Sequence, residues 1–292
     1  MISSELAKKV NLIKISTRKA VTATFAGEYA SVFKGRGMEF DEVREYEIGD
    51  DIRAIDWNVT ARTGTLHTKR FLEERELTVL FLVDLSGSES FGSTTRTKGE
   101  IAAEISALLA LSAVKNNDRV GLIIFTDRVE VYIPPKKGMT HLLRLIRELL
   151  TDRPLHRETS IAAVLDFVGR VLHKRSVLFL ISDFLDQGYE KKMKALAVRH
   201  DLIAIPVSDP REGSLPDIGL LRLEDAESGR RVVLDTGSRA VRAEFDRWWR
   251  EGSRRIDRTL VSSGVDRIQL RAGEDYVKPI VRFFMARERG MR

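Results

Sequence analysis

The stretch "LTVLFLVDLSGSESF", residues 77–91, decides the fold. Its first seven residues form an apolar run of the kind expected of a strand covered on both faces, whereas a strand with one wet face alternates. The run stops at Asp84, and two serines follow at alternate positions, Ser86 and Ser88. A carboxylate and two hydroxyls therefore emerge where a deeply buried strand ends.

The same grammar continues on the C-terminal side. "GEIAAEISALLALSAVKN" (99–116) has apolar residues at helical spacing, and "RVGLIIFT" (119–126) is a strand. "VEVYIP" (129–134) is a short strand that Pro134 and Pro135 should terminate. "THLLRLIRELL" (140–150) is a helix, as is "TSIAAVLDFVGRVLH" (159–173), with Thr159 or Ser160 placed to cap its start. "SVLFLIS" (176–182) is a second fully apolar strand, followed at once by Asp183. A helix (189–200) and a strand (201–208) add one more unit. "GLLRLED" and "RRVVLD" then read as a hairpin, and a long helix covers about 238–263. "VDRIQLR" (265–271) is a candidate strand, and "YVKPIVRFFMARER" a terminal helix.

Strands alternating with helices predict an α/β fold whose mainly parallel sheet is flanked by helices on both faces. In such sheets the functional crevice lies beyond the carboxyl ends of the strands, so Asp84 and Asp183 share one edge. The expected organisation is a small, mostly β or irregular subdomain over 1–76, packed against an α/β domain over 77–292. In the small part, Gly49-Asp50 and Thr63-Gly64 mark turns. Its first residues read as an amphipathic helix and "FKGRG" (33–37) as a basic turn, since no Walker pattern is present. "GDDIRAIDWNVTAR" brings Asp50, Arg53, Asp56, Trp57 and Arg62 close together in sequence. Two readings stay open: a buried salt-bridge and aromatic cluster that fixes the subdomain, or a docking surface that senses the neighbouring site.

Composition narrows the function classes. The 292 residues are 43% hydrophobic and 32% charged, as in globular proteins, and no apolar run approaches the roughly 20 residues of a membrane span. The N-terminus carries charges inside its apolar pattern, unlike a signal peptide, and there is no cysteine for a disulfide or a thiolate metal site. Together these place the expected location in the cytoplasm. The net charge is +6, with an arginine-dense patch in "DRWWREGSRRIDR". That patch reads as a solvated helix face, with weak, salt-sensitive nucleic-acid binding as the alternative. Of its adjacent tryptophans, Trp248 and Trp249, one is expected in the core and the other at an interface. The five histidines have no ligand spacing, which argues against zinc.

The chemistry concentrates on oxygen. An Asp-x-Ser-x-Ser loop lets Asp84, Ser86 and Ser88 converge from one strand end. Thr159 offers another hydroxyl and Asp183 a second carboxylate. Such a set suits a hard cation, Mg²⁺ or Mn²⁺, whose open position attracts an outside carboxylate. The alternative reading is that Asp84 and Ser88 merely cap a helix or turn, and the other loops weigh against it.

At these residues the sequence resembles the von Willebrand factor A fold and its metal-ion-dependent adhesion site. "DLSGS" (84–88) matches the first motif, Thr159 in "ETSI" the threonine loop, and Asp183 in "ISDF" the second aspartate loop. "GEYASVFKGRGMEFDEVREYEIGDDIRAIDWNVTARTGTLHTKRFLEERE" (27–76) resembles the signature of the bacterial domain of unknown function 58 family. That resemblance implies association with a MoxR-type AAA+ ATPase and a role in protein maturation or complex assembly.

Three function classes follow. The favoured one is a non-catalytic, metal-dependent protein-interaction module completed by a partner's acid. A Mg²⁺-dependent phosphohydrolase using Asp84 as nucleophile is the enzyme alternative, but the position two residues on is Ser86, a poor general acid. Nucleic-acid binding through the basic C-terminal helices is the third.

Overall fold

The computed structural model describes residues 39–72, 76–151 and 156–290. They divide into two compact units, one over 39–72 with 76–77 and one from residue 78 onward. The amphipathic helix expected at the N-terminus and the "FKGRG" turn lie outside the described residues.

The smaller unit is a two-stranded antiparallel sheet of β1 (Glu39–Glu45) and β2 (His67–Leu72). Between them lie a single 3-10 turn (Ile52–Ala54) and a short helix, α1 (Trp57–Thr63), which the expectation of β or irregular structure did not include. Asp56 caps α1 by accepting from the backbone N–H groups of Asn58 and Val59, and Gly64 ends it in the left-handed conformation.

The larger unit starts with β3 (Thr78–Asp84), followed by α2 (Lys98–Lys115), β4 (Arg119–Phe125), β5 (Val129–Lys136) and α3 (Met139–Thr151). Next come α4 (Ile161–Val171), β6 (Val177–Ser182), α5 (Glu190–Arg199) and β7 (Asp201–Ser208). A separate hairpin of β8 (Leu220–Glu224) and β9 (Arg231–Asp235) precedes α6 (Arg239–Ser262). Two short strands, β10 (Asp266–Arg267) and β11 (Leu270–Arg271), lead to α7 (Val277–Gly290). None of the described helices is long and apolar enough to cross a membrane.

The central sheet runs β10-β7-β6-β3-β4-β5, parallel except where β5 returns antiparallel to β4. This is the mainly parallel, helix-flanked α/β sheet that the apolar strands imply. Successive residues point to opposite faces, so each strand feeds two cores. Phe81 stacks on Phe179 at 5.4 Å, and Phe81 and Leu122 face the side covered by α2 and α3. Leu80, Leu82, Leu178 and Leu180 pack on the other side with α4, α5 and Leu260 of α6.

Three prolines, in two strands, correct the strand expectations. Pro134 and Pro135 do not end β5, which continues to Lys136; it pairs only with β4, and its register shifts where the prolines fall. The single strand expected over 265–271 is split in two. Ala204 and Ser208 accept from Ile268 and Ala272, so Pro206, midway between them, faces the same neighbour and has no N–H to give.

Gly121 makes room for the β5 irregularity: a Cβ there would come within 2.9 Å of the Ile133 carbonyl and of Pro135. Gly121→Ala should therefore lower the unfolding free energy by about 1–3 kcal/mol, read as a lower midpoint in urea.

Candidate functional site

β3 is the strand at which the sheet changes direction. The chain goes from β3 to β4 on one side, then crosses to β6 on the other, opening a crevice beyond the carboxyl ends of β3 and β6. Asp84 is the last residue of β3, and Asp183 directly follows β6.

Asp84 is fully buried. One carboxylate oxygen accepts the Ser86 backbone N–H at 2.9 Å, and the other accepts the Ser182 hydroxyl at 2.6 Å. Burial and the nearby Asp183 nonetheless raise its pKa to about 7. The Ser86 and Ser88 hydroxyls lie 3.3 Å apart. Asp183 accepts from the Leu185 N–H, and Phe184 between them is held at a φ of 59°, a left-handed conformation uncommon for a bulky residue. That turn also aims the Phe184 N–H at the Ser182 hydroxyl.

Three charged residues that the sequence did not single out complete the centre. Lys98, in the first turn of α2, is fully buried and donates to Asp183 at 2.8 Å and Glu212 at 2.6 Å. Burial works against its charge, but Asp183, Glu89 and Glu212 more than compensate and hold it protonated. Glu89 sits in the single turn Gly87–Ser90 with both carboxylate oxygens buried and without a hydrogen-bond partner. Burial first, then Asp183, pushes its pKa well above the usual range. Asp84, Glu89 and Asp183 each offer an oxygen, all within 4.8 Å of one another. Two of these carboxyls are driven toward neutrality, and one ammonium serves three acids, Asp183, Glu89 and Glu212. All-oxygen donors with an unsatisfied buried carboxylate match the preference of a hard cation.

Thr159 approaches from a third loop. The Gly87 N–H donates to the Arg157 carbonyl at 2.8 Å, which stitches the "DLSGS" loop to that segment. Ser160, rather than Thr159, caps α4, whose first residue is Ile161. The Thr159 hydroxyl is thus free of capping and donates to Glu227 at 2.7 Å. Ser88, Thr159, Asp183 and Glu227 line one cleft of about 900 Å³, together with Trp248 and Trp249.

Neither tryptophan enters the core, contrary to expectation: Trp248 is 61% exposed, and Trp249 is half-buried against Gly213. In the smaller unit, the buried cluster expected around Asp50 is not formed. Asp50 pairs with Arg44, Asp56 with Lys69, while Arg53 and Arg62 are exposed and Trp57 is 66% exposed. Each acid there is spent on local structure, a turn for Asp50 and a helix cap for Asp56.

Of the residues missed, Lys98 left a trace in the sequence. A cation in the first turn of a helix opposes the helix dipole, which signals a tertiary partner. Ser182 and Glu89 carried no such sign.

The model of a family described as "Protein of unknown function DUF58" matches residues 42–255. The uncharacterized protein Rv1480 of Mycobacterium tuberculosis is 31% identical over 291 residues, covering 98% of this chain and 91% of that protein. Among solved structures, the conserved hypothetical protein BatB from Bacteroides thetaiotaomicron is 16% identical and covers 73% of this chain and 99% of its own, at a TM-score of 0.49. The SpRpn10 VWA domain is 12% identical and covers 71% of this chain and 94% of its own, at a TM-score of 0.39.

Two outcomes follow from the electrostatics. Lys98→Met, which leaves Asp183 and Glu212 without their cation, should cost about 3–5 kcal/mol in urea unfolding at pH 8. For Asp84 the native pKa lies above the unfolded one, so the native state binds more protons between about pH 4 and pH 7, and stability falls as pH rises through that window. In metal-free protein, Asp84→Asn should therefore raise stability at pH 8 by on the order of 2 kcal/mol, with the gain fading toward pH 4. Thermal melts across that range read it.

Proposed function

The chain belongs to the DUF58 family, and we propose that this member is a non-catalytic protein-interaction module that works through a bound divalent cation. The observation that carries this reading is the convergence of Asp84, Glu89 and Asp183 oxygens at the sheet's switch point, with the Glu89 carboxylate buried and unpaired. Asp84, Ser86, Ser88 and Asp183 would hold Mg²⁺ or Mn²⁺, with Thr159 at the open side and Glu89 balancing charge. When bound, the ion supplies a positive point with an exposed coordination position, to which a carboxylate binds.

The protein's own residues do the rest. Ser182 and the Ser86 N–H orient Asp84, and Lys98 orients Asp183. The likeness of the "DLSGS", "ETSI" and "ISDF" loops to a metal-ion-dependent adhesion site supports the same assignment. The ligand is then an acidic side chain of a partner protein, for which family membership favours a MoxR-type AAA+ ATPase. The reading is non-enzymatic because Ser86 stands where a phosphohydrolase places its general acid.

Calorimetric titration of Mg²⁺ and Mn²⁺ into the full chain tests it. Losing a group that merely hydrogen-bonds a ligand weakens metal sites by about 10–100-fold, so Asp84→Ala, which removes a ligand itself, should weaken uptake by at least about a hundredfold while the circular dichroism spectrum is retained. Absence of binding to the wild type at millimolar metal, or equal affinity in the variant, overturns the assignment.

A further inference from the structure

The β8–β9 hairpin is shaped at its tip and loosely held along its body. At the tip, Asp225 accepts from the Ser228 N–H and hydroxyl, at 2.6 and 2.7 Å, and Gly229 turns the chain with a φ of 68°. This preformed turn presses the Ala226 carbonyl onto the "DLSGS" loop so closely that a Cβ on Gly87 would lie 2.4 Å from it. The next residue, Glu227, takes the Thr159 hydroxyl bond and lines the same cleft as Ser88 and Asp183.

The body is different. β8 and β9 pair only with each other, and Leu220, Val232 and Val233 are 77%, 51% and 60% exposed. So little burial gives the hairpin a low cost of opening. Its carboxylate is also set against like charge. Glu227 lines the same cleft as the carboxylates Asp183, Asp186 and Asp225, with the Thr159 hydroxyl as its hydrogen-bond donor. An acid held among acids at the open side of an oxygen-lined centre is stabilised by a cation there.

We propose that the hairpin tip is a latch on the centre: Glu227 fills, from within the chain, the place that a partner's acidic side chain takes, and the partner binds by displacing it. This rests on the metal-dependent reading above. The ion tightens the latch, the loosely held strands let it open, and a competing carboxylate exchanges for Glu227 without a change in metal occupancy. Specificity then includes a threshold, because a partner must outcompete an acid already in place.

The experiment uses the full chain, wild type and Glu227→Gln, with metal alone as probe. Free Mn²⁺ is counted by electron paramagnetic resonance, and hydrogen exchange of residues 220–235 is followed by mass spectrometry with and without Mg²⁺. The expected result is Mn²⁺ uptake by both proteins, with Mg²⁺ slowing hairpin exchange about tenfold in the wild type and hardly at all in Glu227→Gln. Uptake by both proteins with hairpin exchange that ignores Mg²⁺, or slows equally in the variant, overturns the latch and leaves the metal reading standing. Failure of the wild type to take up Mn²⁺ overturns both.

Discussion

Two carboxylates, Asp84 and Asp183, are held close together at the ends of adjacent buried strands, and the surrounding loops are arranged around that repulsion. Left alone, such a pair would share a proton or move apart. Here Ser182 holds one and Lys98 the other, so the separation is fixed by the β3–β6 ladder and the charge is handled by hydrogen bonds and an ammonium. The apolar strands on both faces of the sheet anchor the arrangement, because neither strand end can shift without disturbing two packed layers.

This explains why a low-stability feature persists in the middle of a well-packed domain. Glu89 is buried with no partner for either oxygen, and Phe184 sits in a backbone conformation that bulky side chains avoid. Both departures lie within a few residues of the paired acids. Strain and unsatisfied charge of this kind concentrate where a protein binds something, since binding is what relieves them.

Much of the fold was legible because β3, β4, β6 and β7 are apolar runs and the long helices that cover them carry apolar residues at helical spacing. Element type and order followed from periodicity alone. The misreadings have specific causes. Proline does not terminate β5, because a strand that pairs on one side can leave its donors unused. In β7 the same residue type breaks its neighbour's strand rather than its own. Asp84, Ser86, Ser88 and Asp183 were visible because each adjoins an apolar strand end. Glu89, Lys98, Glu212 and Glu227 were hidden among the many other charged residues: what distinguishes them is burial or position, and neither has a sequence period. The acids near Asp50 show the converse, since close spacing in the chain gathered them only on paper.

Lys98 reaches Asp183 and Glu212, while Asp209, whose N–H is bound by Glu212, in turn accepts from the Ser93 N–H and hydroxyl. The segments following β3, β6 and β7 are thereby knotted through one amine. A transplanted "DLSGS" loop would consequently arrive on a foreign scaffold without its counter-ions or its alignment. The unit that could be moved intact is the whole knot, since a change in any one segment leaves a charge in another without its partner.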